Sequence, residues 1–184
     1  MAEWSCTPFR GKIIDAGMKN VTEKDELTLE IDEYVPLFAY IGSNKSSNLY
    51  LRFVSKTTLV ELGISELSGL LESINLIQIS GLRIRDFPVT DLEVVNELPQ
   101  FDLSLWRNKK TVDIDAEATA SIADNTFFLI FNEIEIAQKI WQYDSLQLAF
   151  GNARLCWIAI QNLSDGQIAK IEKSILDNAS GGFL

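Results

Sequence analysis

The sequence predicts an α+β fold: a mostly antiparallel, hairpin-rich β-sheet of about eight to ten strands, with two or three short helices that include a C-terminal amphipathic one. Three observations predict it. Short alternating runs recur along the 184 residues, polar two-residue turns join several of them, and a capping signal opens a helical repeat near the end.

The first strands are read at 27–32, 37–41 and 49–53, short runs rich in apolar and aromatic residues, and the polar loop from Gly42 to Asn48 joins the last two. The clearest run is 111–122, apolar at every even position and polar at every odd one. That is the pattern of one half-buried strand. Asp124-Asn125 supplies a two-residue turn into the apolar run 126–131, so a hairpin with Ile122 near Phe127 follows. A second hairpin reads from 146–150 through Gly151-Asn152 into 153–160, whose apolar residues on both faces mark a central strand.

In 77–85 the apolar positions are odd before Gly81 and even after it, which predicts a β-bulge at Gly81. The alternating run 101–106 reads as a strand folded back by the polar turn 107–110, giving three adjacent strands with 111–122 and 126–131. For helices, Ser164 and Gln167 form a capping box ahead of Ile168, Ile171, Ile175 and Leu176, which share one helix face. Asn132 with Glu135 suits a shorter helix through Trp141, and 65–74 a third despite Gly69. Residues 1–178 are read as a single domain and 179–184 as a flexible tail, with no internal repeat of 20 to 50 residues.

Composition narrows the chemistry. A chain 47% hydrophobic and 23% charged has enough apolar residues to fold without a disulfide or metal. The N-terminus lacks the basic and apolar runs of an export signal, and no stretch approaches the ~20 apolar residues of a membrane helix. A cytoplasmic protein is expected, with Cys6 and Cys156 as separate thiols. Histidine is absent, which removes Ser-His-Asp and Cys-His catalysis and the commonest metal ligand. A net charge of −10 repels nucleic-acid backbones. Glycine-rich phosphate loops, Cys-x-x-Cys pairs, EF-hand loops and the Gly-x-Ser-x-Gly elbow are all missing. No cofactor, metal, nucleic acid, membrane or small-molecule ligand is therefore expected.

Asp102-Leu103-Ser104-Leu105-Trp106-Arg107 resembles the Asp-x-Ser-x-x-Gly part of cyclic-di-GMP-binding PilZ domains over those six residues. Arg107 stands where that family has glycine, and Arg83 and Arg85 do not have the spacing of its Arg-x-x-x-Arg partner motif. The resemblance therefore carries no dinucleotide site.

The most distinctive polar feature is the stripe Asp113, Asp115 and Glu117, whose period-two spacing places the carboxylates on one sheet face about 7 Å apart. Collinear carboxylates converge poorly on one cation. They are either a solvated face, paired across the sheet with Arg83 or Arg85, or a surface for a basic partner. Glu30, Asp32 and Glu33 extend that surface, and Trp106, beside a turn, is its candidate aromatic anchor. Trp157 reads as core, and the basic cluster Arg107, Lys109 and Lys110 as a solvated hairpin tip.

The functional expectation is an acidic protein-binding module of the immunity or inhibitor type, which neutralises a basic partner such as a toxin or nuclease. The alternatives are a carboxylate-dependent hydrolase or metal-assisted enzyme using some of Asp102, Asp113, Asp115 and Glu117, and an adaptor or secretion chaperone.

Overall fold

In the computed structural model of the chain, the described residues are 25–32, 35–42, 48–84, 92–131, 136–152 and 154–180. They form β1 (Leu27–Glu30), β2 (Leu37–Ile41), β3 (Leu49–Val54), β4 (Leu59–Ile64), β5 (Leu71–Gln78), β6 (Leu82–Ile84) and β7 (Glu93–Val95). A 3-10 helix (Leu103–Trp106) follows, then β8 (Thr111–Asp115), β9 (Thr119–Ala123), β10 (Thr126–Ile130), β11 (Lys139–Tyr143), β12 (Leu146–Gly151), β13 (Arg154–Ile160) and α1 (Asp165–Ser180). The strands make two sheets. Sheet 1 has the order β1-β2-β5-β4-β3-β8 and sheet 2 the order β6-β9-β10-β13-β12-β11-β7.

The molecule is thus richer in strands than expected, and its sheets are mixed. Three pairings are parallel: β8 on β3, β7 on β11 and β6 on β9. All three use strands from the segment that connects the two halves of the chain. Such a strand reaches its sheet by a long crossover, so no hairpin forces it to run antiparallel.

The two sheets share one plan. In each, a pair of antiparallel strands is followed by a three-strand meander whose last strand docks on the second, giving β1-β2-β5-β4-β3 and β9-β10-β13-β12-β11. A parallel edge strand then pairs with the first meander strand of each sheet, and sheet 2 carries β6 beside β9 in addition. The registers coincide as well: Leu37 faces Leu76 and Tyr40 faces Ser73 in sheet 1, as Phe127 faces Ile160 and Ile130 faces Trp157 in sheet 2. Even the irregularity recurs, since the register shifts between Gly63 and Ile64 in β4 and between Ala149 and Phe150 in β12. The repeat was invisible at 20 to 50 residues because Leu27 and Thr119, which open the two units, are about 90 residues apart.

The inner faces meet in one apolar cluster. Leu37, Leu51, Phe53, Leu62, Ile74 and Leu76 of sheet 1 join Phe127, Leu129, Leu148 and Ile158 of sheet 2. Phe53 and Phe131 cross between the sheets with ring centroids 4.3 Å apart. Ile171 and Ile175 bury one stripe of α1 in the same cluster, whereas Leu176, expected on that stripe, is exposed. The capping box is present: Ser164 N–H donates to Gln167 Oε1 at 2.9 Å and Gln167 N–H to Ser164 Oγ at 3.3 Å. The helix runs to Ser180, so it takes in the first residues of the expected tail.

Several expectations are corrected. Residues 65–74 are not a helix: a turn at 66–68, with Gly69 at φ 73°, joins β4 to β5. The helix expected from Asn132 to Trp141 is replaced over its last residues by β11, while 132–135 lie outside the described residues. Run 101–106 is no strand but a 3-10 helix, because the Asp102 carboxylate accepts the Ser104 N–H at 2.9 Å and turns the chain. The run 111–122 is two strands in two sheets, with the alternation kept across the break at 116–118. The phase change at Gly81 is not a bulge but the passage from β5 in sheet 1 to β6 in sheet 2. The bulges of β5 fall instead opposite the Leu59/Val60 and Gly63/Ile64 steps.

The hairpin with Ile122 opposite Phe127 is as expected, turning at Asp124 with φ 50°. In the later hairpin, Gly151 pairs with Arg154, so the turn is one residue further on, at Asn152 with φ 48°. Gly151 is needed for another reason: a Cβ there would run into Ile136 O.

Candidate functional site

The outer faces of the sheets differ, although their strands correspond. On sheet 2, Phe128, Ile130, Ala149, Trp157 and Ala159 are buried in a second apolar cluster. On sheet 1, cross-strand pairings line up a mixed row: Glu30 opposite Phe38, Phe38 opposite Asn75, Asn75 opposite Glu61, Glu61 opposite Arg52, and Arg52 opposite Asp113. The neighbouring row runs Thr28, Tyr40, Ser73, Gly63, Tyr50 and Thr111.

The alternation of each strand dictates this placement. Leu51 and Phe53 point into the core, so Arg52 points out; Ile74 and Leu76 do the same for Asn75, and Val60 and Leu62 for Glu61. At the β8 edge, Arg52 grips Asp113 with two bonds, Nε to Oδ1 at 2.8 Å and Nη2 to Oδ2 at 2.9 Å. This fork geometry is the stronger form of the pair. The bond from Arg52 holds the Asp113 carboxyl below the usual carboxylate range, with Lys109 adding a smaller pull, and the same bond raises Arg52.

Glu61 behaves oppositely. Burial pushes its carboxyl up, and the charge of Arg52 only partly offsets this. Beside it, Asn75 Oδ1 is buried with no hydrogen-bond partner among the described residues.

The expected site residues divide as follows. Asp113 and Asp115 are exposed on one face of β8, and Glu117 is exposed just past its end. Arg52, not Arg83, is the partner of Asp113; Arg83 is in sheet 2, and Arg85 lies outside the described residues. Glu30 is on the same sheet face but at the opposite edge, five strand spacings of ~4.8 Å away, and accepts the Tyr40 O–H at 3.3 Å. Asp32 is exposed just beyond β1, where its carbonyl accepts the Ser174 hydroxyl at 2.8 Å. Glu30 and Asp32 are therefore not contiguous with the stripe. Glu33 and Cys6 lie outside the described residues.

Trp106 is a correction. It is 4% exposed, and its Nε1–H donates to Tyr50 O at 2.9 Å, because the capped 3-10 turn swings the ring beneath β3. It anchors β3 from inside and is not an exposed aromatic anchor for a partner. Trp157 is buried as expected.

The carboxylates considered for catalysis do not converge. Asp102 caps the 3-10 turn and Asp113 is held by Arg52, while Asp115 and Glu117 follow along the edge. Among the described residues, no group of three or more Asp, Glu or Cys is placed to hold a metal ion, and no helix is long and apolar enough to cross a membrane. Searches against protein-family models and curated proteins found no match to this sequence.

Proposed function

We propose that the chain is a protein-binding module that receives a basic partner on the outer face of sheet 1, at the β8 edge. The observation that supports this most is the use of Arg52. Its charge is already taken up by Asp113, so Asp115 and Glu117, exposed beside that pair, have no ion-pair partner among the described residues. Exposed carboxylates in a row repel one another, and a cationic surface relieves that repulsion on contact.

Within this reading the chain is an immunity- or inhibitor-type protein acting in the cytoplasm, and its partner is a basic protein such as a toxin or nuclease. A sheet face with carboxylates at its edge suits shielding of a cationic surface. The acidic character of the whole chain, −10 net, extends the attraction beyond the contact itself.

The test is Asp113→Asn/Asp115→Asn/Glu117→Gln, which removes three charges and keeps side-chain size. The partner captured from native cells with the wild-type chain is used for association kinetics at low and high ionic strength. The triple variant should associate about tenfold more slowly at low salt, with a shallower salt dependence, because steering acts mainly on the on-rate. Its melting temperature should barely change. Equal rates and equal salt slopes would remove the stripe as the recognition surface.

A further inference from the structure

The basic turn Arg107, Lys109 and Lys110 is not a hairpin tip. It closes the 3-10 helix, with Asn108 at φ 64° and Lys109 N–H donating to Trp106 O at 3.0 Å. The turn borders an open cavity of about 490 Å³, lined by Leu49, Leu103 and Trp106 below and by Arg107, Lys109, Lys110 and Glu66 at the rim. That volume is within the roughly 300–1,000 Å³ of small-molecule sites.

Three features converge here. The floor is apolar and fixed, since Leu49 and Trp106 are buried and Trp106 is held by its bond to Tyr50 O. The rim carries three cations against one acid, an inversion of the chain's overall sign. Of these cations, Lys110 is engaged by both Glu66 oxygens at 2.7 Å, whereas the side chains of Arg107 and Lys109 form no hydrogen bond or ion pair among the described residues.

We propose that this cavity binds a small organic anion, a phosphate or carboxylate group attached to a compact apolar body. The anion is received by Arg107 and Lys109, and the body rests on Leu49, Leu103 and Trp106. The Arg107 fork supplies paired donors for a planar or tetrahedral anion, and Lys109 adds a mobile charge. Lys110 is held in reserve by Glu66. The cavity adjoins the β8 edge, where Lys109 also acts on Asp113, but its ligand is a separate one, and the inference departs from the expectation that the chain takes no small ligand.

Phenyl phosphate is the probe, with inorganic phosphate and phenol as its charged and apolar halves, titrated into the ¹⁵N-labelled full chain. Phenyl phosphate should shift the Trp106 indole N–H and the amides of Lys109 and Lys110 saturably, with a Kd of about 1 mM, the affinity of a fragment of its size. Each half alone should bind at least about fivefold more weakly, as apolar burial and charge then act separately. Arg107→Gln/Lys109→Gln should weaken phenyl phosphate at least about tenfold with the remaining spectrum unchanged. Glu66→Gln, which releases Lys110, should tighten it by about two- to threefold. Inorganic phosphate binding as tightly as phenyl phosphate, undiminished binding by the double variant, or shifts that never saturate would each overturn the proposal.

Discussion

The two sheets are built to the same strand order and register, yet equivalent positions on their outer faces carry opposite chemistry. Arg52 and Glu61, opposite each other in β3 and β4, correspond to Gln142 and Gln147 in β11 and β12. In sheet 2 that pair is a neutral hydrogen bond, Gln147 Nε2 to Gln142 Oε1 at 2.8 Å. Asn75 corresponds to Ala159, Ser73 to Trp157, and Tyr40 to Ile130. One plan therefore supports both a sealed apolar face and a polar one. The shared plan does not require the charges of sheet 1, where burial raises the Glu61 carboxyl.

The comparison breaks most readily from the sealed side. Trp157→Ser places the sheet 1 residue at its sheet 2 equivalent. Trp157 is buried against Phe128, with ring centroids 6.0 Å apart in an edge-on arrangement. Truncation should cost about 3–5 kcal/mol in urea unfolding, the range for deleting a buried aromatic ring. A loss under about 1 kcal/mol would mean that this face carries no more of the stability than its counterpart does.

A smaller effect is expected at the β8 edge. Asp113→Asn breaks the bidentate pair, whose side chains are 37% (Arg52) and 54% (Asp113) exposed, so solvent should hold the loss below about 1 kcal/mol at neutral pH. The sign follows from the lowered carboxyl of Asp113 in the folded state. Its stabilisation is present above the carboxyl's unfolded pKa and disappears as pH falls through the lower folded value. The wild type and variant should therefore converge in strong acid, as read from urea midpoints across pH. A gap that persists below the ordinary carboxylate range would assign the effect to something other than this ion pair.

Much of the strand content was legible in the sequence. The alternation of 111–122 identified an edge of exposed carboxylates, and Asp124-Asn125 identified the turn that pairs Ile122 with Phe127. Allocation between sheets was not legible, because alternation reports which face is buried and not which sheet buries it. Residues 116–118 keep the alternation while the chain leaves one sheet for the other. The row through Asn75, Glu61 and Arg52 comes from three strands, and no local spacing joins it. Its middle was also obscured where 65–74 reads as helical, since Ser65, Glu66 and Gly69 supply turn chemistry that resembles a helix start. For Trp106 the missed signal was Asp102-x-Ser104, a local cap that turns the chain where alternation suggests extension.

The central claim is that the charged row of sheet 1 serves an encounter and not the fold, and Arg52→Gln/Glu61→Gln tests it most directly by giving sheet 1 the amide pair of sheet 2. Removing Glu61 relieves a carboxyl whose burial raises its pKa. That group favours the fold below its unfolded pKa and loses this contribution as pH rises through the higher folded value. Removing Arg52 forfeits only an exposed pair. The double variant should therefore unfold in urea at neutral pH within about 1 kcal/mol of wild type, with an unchanged m-value. A loss of about 3 kcal/mol or more would show that the row holds the sheet together and would contradict the account.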